Sequence, residues 1–189
     1  DSANVFTLRN ITDMLRVKSF LDTARPKTAA IIGSGFIGLE MCESLVGLGI
    51  KATLIERLPQ VAPGLDSDMS VYVRKHMEKK EVAIYTDVTV TSITDKGVYL
   101  SDGTFIEADM ILVAAGIRPN SELAASAGVE LGVAGAIRVD TKMRTNIPDI
   151  YACGDCAEQF HLVTGKSVYR PLGSTANKTG RICGDSITG

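Results

Sequence analysis

The chain is 189 residues long, 45% hydrophobic and 22% charged, with a formal net charge of −2 at pH 7. That balance is ordinary for a globular protein and gives no electrostatic ground for nucleic acid or an anionic membrane as partner. No apolar run approaches the roughly 20 residues a bilayer span needs, and the opening DSANVFTLRNITD lacks the basic start and apolar centre of a signal peptide.

Along the chain, ITDMLRVKSFLD (11–22) spaces Ile11, Met14, Leu15, Val17, Phe20 and Leu21 as an amphipathic helix. TARPKT is then a connector, because Pro26 discourages helix in the residue before it. TAAIIG (28–33) is a short continuous apolar run, suited to a buried parallel strand. FIGLEMCESLVGLG (36–49) follows as a helix with Ile37, Met41, Leu45 and Leu48 on one face and Gly49 as its C-terminal cap. KATLIE (51–56) is a second buried strand, which completes a right-handed βαβ unit. Asp66 or Ser67 can cap a third helix reaching about Lys80.

From there the pattern changes to period two. VAIYTD (82–87) is a strand, and VTVTSITD, GVYLSD and GTFIEAD form an antiparallel meander in which SDGT offers the Asp-Gly of a two-residue turn. MILVAAG (110–116) is another buried strand. Strands near 136–140 and at 149–154, and a last helix from about Ser174, complete the chain. The fold class expected is α/β: a βαβ-built unit with an antiparallel β-meander, followed by about seventy residues of different organisation.

GSGFIG fits G-x-G-x-x-G at Gly33, Gly35 and Gly38. The first glycine permits the tight turn, the second leaves room for a pyrophosphate, and the third lets helix and strand pack closely. The helix N-terminus that begins with Phe36 and Ile37 would favour phosphate charge. Glu56 ends the next strand, 18 residues past Gly38. There a carboxylate can accept the adenosine 2′-OH and repel a 2′-phosphate, which favours NAD over NADP. Arg57 is either a solvated charge or a partner for that phosphate. Glu40 is either a surface residue well placed for the helix dipole or a group near the ring end of the nucleotide.

With IIGSGFIGLE, TLIE, ILVAAGIRPN and NIPDIYACGDCAE in this order, the chain resembles the FAD-dependent pyridine nucleotide-disulfide oxidoreductases. It is most similar to their branch of NADH oxidases, NADH peroxidases and coenzyme A-disulfide reductases. The resemblance implies an α/β, Rossmann-like FAD/NAD(P)-binding fold with an antiparallel β-meander plus part of a second FAD-binding domain: 1–25 is a lead-in helix and linker, 26–116 an NADH-binding domain, and 117–189 the C-terminal segment of a discontinuous FAD-binding domain. A first FAD segment would precede Asp1 and a dimerisation domain would follow Gly189, making the parent a homodimer. A start without Met and a stop at GDSITG agree with a piece of a longer protein. The resemblance also assigns Asp155 to a ribityl hydroxyl of FAD, and the N-terminus of the helix carrying Ser174 and Thr175 to the flavin's pyrimidine edge. Glu40 would lie near nicotinamide and flavin, and Gly116 at a close approach to NADH. The cofactors implied are FAD and NAD(H), with hydride passing from NADH to FAD and on to a disulfide, peroxide or oxygen. The redox cysteine would lie upstream of Asp1, so no catalytic residue is expected in this chain.

Cys153 and Cys156 have the spacing of a redox pair, but on this reading they flank a flavin-ligand aspartate. A zinc site would need further ligands, and only His76 and His161 are available. Cys42 and Cys183 read as packed thiols, Cys183 on a helical face with Ala176, Gly180 and Ile187. Four unevenly spaced cysteines argue against a secreted disulfide framework and for a cytoplasmic location. Two rival readings are a stand-alone, non-catalytic dinucleotide-binding module and an ordinary NAD dehydrogenase. The second lacks any acid–base constellation beyond residue 116.

Overall fold

Apolar runs that can be covered on both faces become the central sheet of the first part of the chain. The computed structural model describes residues 3–189, so Asp1 and Ser2 of the expected lead-in lie outside the described residues. The chain divides into two compact units, 1–116 and 117–189. In order, the first contains β1 (Val5–Thr7), α1 (Ile11–Ala24), β2 (Thr28–Ile32), α2 (Phe36–Gly47), β3 (Lys51–Ile55), α3 (Ser67–Lys79), β4 (Ala83–Tyr85), β5 (Val90–Thr94), β6 (Gly97–Leu100), β7 (Phe105–Glu107) and β8 (Met110–Val113).

Five of these strands pair in the order β1-β8-β2-β3-β4, all parallel. The chain steps outward from β2 through β3 to β4, then returns to the other side of β2 as β8. Strand order therefore reverses between β2 and β8, which opens a crevice at their carboxyl ends. Side chains alternate across the sheet. Ala29, Ile31, Met110 and Leu112 pack with Cys42 and Leu45 of α2 and Met77 of α3. Ala30 and Ile111 pack instead with Val98, Leu100 and Ile106 of the antiparallel sheet β5-β6-β7. Helices cover one face and the meander the other, which is why β2 and β8 read as continuous apolar runs.

Three local readings are corrected. The expected lead-in is part of the first unit: β1 pairs with β8, and Phe6 packs against Phe20 of α1 with ring centroids 5.0 Å apart. A three-residue strand is too short to carry a periodic signal. The buried stripe of α2 is Gly38, Cys42 and Leu45, and Leu48 is 66% exposed. Leu48 lies past the last helical turn, where Ile50 N–H bonds Leu45 O at 3.1 Å and Gly49 N–H bonds Val46 O at 2.9 Å. With Gly49 at φ 79°, this is a Schellman cap. At SDGT, Leu100 N–H bonds Thr104 O at 2.8 Å, leaving a three-residue loop with Gly103 at φ 88° rather than a two-residue turn.

The second unit holds α4 (Glu122–Ser126), a hairpin of β9 (Gln159–His161) and β10 (Lys166–Val168), and α5 (Gly173–Thr188). The strands expected near 136–140 and 149–154 are reduced to isolated bridges, Leu131–Ile137, Ile137–Ala157 and Arg144–Tyr151. Met143, Asp149 and Gly154 take φ of 62°, 63° and 76°, which interrupts any extended run. A small core of Val129, Ile137, Ala152 and Ala157 lies beneath them. The buried line of α5 is Thr179 and Cys183, whereas Ile187 is exposed. Among the described residues no helix is long and apolar enough to cross a membrane.

Candidate functional site

At the β2–β8 crevice the three loop glycines differ in what a side chain would meet. Gly33 adopts φ 101°, and a Cβ there would run into the Ala114 carbonyl oxygen. A Cβ on Gly38 would run into the Gly33 carbonyl oxygen. At Gly35 a Cβ would meet nothing within 4 Å. Two glycines are thus required by the chain's own packing, and the third faces open space.

Gly35 is also the N-cap of α2, with no side-chain cap bond. The helix ladder begins with Leu39 N–H to Gly35 O at 3.0 Å, so the N–H groups of Phe36, Ile37 and Gly38 come before the first intrahelical bond. An uncapped helix start beside an open glycine fits an anion such as a pyrophosphate. Phe36 is 58% exposed at its rim, and Glu40 is exposed on the same helix. Gly116, which follows Ala114 and Ala115 out of β8, takes φ 116° and likewise has nothing within 4 Å of a Cβ.

Glu56 is 7% exposed at the end of β3. Its Oε2 accepts the Ser34 N–H at 2.8 Å and the Ser34 hydroxyl at 2.7 Å, and its Oε1 accepts the Leu58 N–H at 2.9 Å. Burial pushes the Glu56 carboxyl up, but the donors from Leu58, Ser34 and the Arg57 backbone outweigh it and hold the pKa below the usual value. Arg57 itself is exposed. The structure therefore brings Gly33, Gly35, Phe36, Ile37, Gly38, Glu40, Glu56, Arg57 and Gly116 onto the first unit.

The remaining predicted site residues lie on the second unit. Asp155 is exposed in a single 3-10 turn, Gly154–Cys156, where Gly154 has φ 76°. Gly154 N–H donates to the Thr179 hydroxyl at 3.0 Å, which fastens this turn to α5. The first turn of α5 has no capping side chain and no acidic residue, and it presents Ser174, exposed, and Thr175, half-buried. The Tyr169 hydroxyl donates to the Asp155 carbonyl at 2.9 Å, and burial followed by the Asp155 charge pushes its phenol up. An exposed carboxylate beside an uncapped helix start fits part of a flavin site.

Ser34, Thr179 and Tyr169 were not singled out from the sequence. Each acts through a partner distant in the chain, which spacing does not reveal. Cys153 and Cys156 are free thiols, with Cys156 Sγ donating to the Cys153 carbonyl at 3.3 Å. Burial raises the Cys156 pKa. Among the described residues no group of three or more His, Cys, Asp or Glu could hold a metal ion.

A family profile described as pyridine nucleotide-disulphide oxidoreductase matches residues 1–171. An NADH oxidase of Methanocaldococcus jannaschii is 38% identical over 100% of this chain and 43% of its own length. An NAD(P)H sulfur oxidoreductase (CoA-dependent) of Pyrococcus abyssi is 33% identical over 100% of this chain and 43% of its own length. A solved NAD-dependent persulfide reductase from A. fulgidus superposes with a TM-score of 0.94 at 41% identity, over 100% of this chain and 36% of that one. The chain spans less than half the length of these relatives.

Proposed function

The chain belongs to the pyridine nucleotide-disulphide oxidoreductase family, and on that premise we propose that it is the NADH-binding part of a flavoprotein oxidoreductase. Residues 26–116, together with β1 and α1, bind NADH, and 117–189 contribute one segment of the FAD site. The observation that carries this reading is the open space at Gly35, between two glycines that the fold itself demands. At an uncapped helix start, that open position leaves room for a pyrophosphate to reach the backbone.

The α2 N-terminus holds the pyrophosphate, Glu56 receives the adenosine ribose, and Gly116 lets the nucleotide approach the backbone. In the second unit Asp155 holds a ribityl hydroxyl, and the α5 N-terminus, with Ser174 and Thr175, favours negative charge on the ring. When bound, NADH supplies the hydride and FAD the relay to a disulfide, peroxide or oxygen. Orientation and electrostatics are this chain's share. The redox cysteine that takes electrons from the flavin belongs to another segment of the parent, a homodimer acting in the cytoplasm.

Calorimetric titration of the chain with NADH, NADPH and FAD tests the assignment. NADH binding ahead of NADPH, with weak FAD, supports it. NADPH binding as tight as NADH would mean that Arg57 outweighs Glu56. Tight FAD without NADH would put the wrong nucleotide on the glycine loop.

A further inference from the structure

Ser34 is the residue between the first two loop glycines, and none of its surface is exposed. Its hydroxyl cannot touch a bound nucleotide, whereas Gly35 beside it faces open space. Every polar atom of Ser34 is directed into the chain. The N–H and hydroxyl both go to Glu56 Oε2, at 2.8 and 2.7 Å, and the carbonyl accepts the Ala62 N–H at 3.1 Å. A carboxylate offers about four lone-pair directions. Ser34 takes both on Oε2, Leu58 N–H takes one on Oε1, and the Arg57 backbone N–H also favours the carboxylate.

We propose that Ser34 is a positioning residue that sets nucleotide preference, by pinning Glu56 through Oε2 so that the Oε1 edge is the one left to meet a ribose hydroxyl. The inference rests on the NADH site proposed above. A hydroxyl can donate to that edge, and a 2′-phosphate cannot. Because Oε2 is saturated, the carboxylate has no alternative partner toward which to turn aside. Arg57, exposed next to it, is then kept from completing a phosphate site. Removing the Ser34 hydroxyl leaves Oε2 with the backbone N–H alone, which loosens the carboxylate and lets the guanidinium pair more readily with a 2′-phosphate.

The test is NADH and NADPH affinity of the chain carrying Ser34→Ala or Ser34→Cys, with melting temperature followed for each. Cysteine fills nearly the same space with a much weaker donor, so it serves if alanine fails to fold. The expected result is a fall of about tenfold in the NADH-to-NADPH affinity ratio, carried mainly by NADH. A purely structural serine would lower both affinities together. An unchanged ratio in a folded variant would overturn the proposal and leave the NADH site standing. Absence of NADH binding to the unmodified chain would overturn the site reading, and this inference with it.

Discussion

The Thr179 hydroxyl accepts the Gly154 N–H at 3.0 Å while donating to the Thr175 carbonyl at 2.9 Å. One side chain thereby holds the turn of Asp155 against the helix whose N-terminus carries Ser174 and Thr175. Thr179→Val keeps the shape and removes both bonds. We expect a loss of about 1–2 kcal/mol in urea unfolding, the cost of leaving a partly buried donor unpaired. Amide exchange at Gly154 should accelerate in the same variant, and unchanged exchange would mean the hydroxyl is not the fastener.

The glycine loop should separate folding from binding. At Gly35, φ is −68° and a Cβ meets nothing, so Gly35→Ala should cost the fold about 1 kcal/mol or less, a cap effect. Its NADH affinity should fall by about tenfold or more, because the methyl occupies the pyrophosphate's approach. Gly38→Ala should do the opposite, losing about 1–3 kcal/mol of stability because its methyl collides with the Gly33 carbonyl. Equal effects on stability from the two variants would remove the distinction between them.

Glu56 predicts an acid limb. Its folded pKa lies below the ordinary value of 4.5, since the Leu58 and Ser34 donors overcome the upward push of burial. A carboxyl shifted this way contributes stability that is full above its unfolded pKa, near 4.3, and is lost as pH falls through the folded value. Urea midpoints should therefore drop from pH 6 toward pH 3. Glu56→Gln should be less stable at pH 7 and show a shallower drop. A Gln variant with the parent's slope would assign the acid limb to other carboxylates, among them Asp109, held down by the Lys27 backbone N–H.

The four thiols should all remain free, with Cys42 the least reactive. Burial pushes its pKa to about 11, so at pH 8 only about one molecule in a thousand carries the thiolate. Iodoacetamide should modify Cys42 only after unfolding. Intact mass should show four reduced cysteines, and a native Cys153–Cys156 disulfide would contradict the bonding of Cys156 to the Cys153 carbonyl.

The parts of this molecule that can be read from sequence are those whose cause is local. The βαβ unit is legible because each element carries its own periodicity, and GSGFIG because a turn between strand and helix needs glycine at fixed offsets. Ser34 is invisible in the same stretch: its meaning lies in Glu56, 22 residues away. Thr179 is hidden likewise, 25 residues from Gly154. The strand read at 149–154 is broken at both ends, where Asp149 and Gly154 take left-handed backbone, and Asp149 does so without being glycine, which periodicity does not announce.

The place of β1 in the first unit has a consequence for synthesis. Its partner is β8, and the register joins Phe6 to Leu112, about a hundred residues later in the chain. At a synthesis rate of about 5–20 residues per second, β1 leaves the ribosome some 5–20 seconds before the strand it needs. For that interval its unpaired edge and the ring of Phe6 have no sheet to join. The unit closes on its own first strand last, and until then that strand stands as an unpaired edge during synthesis.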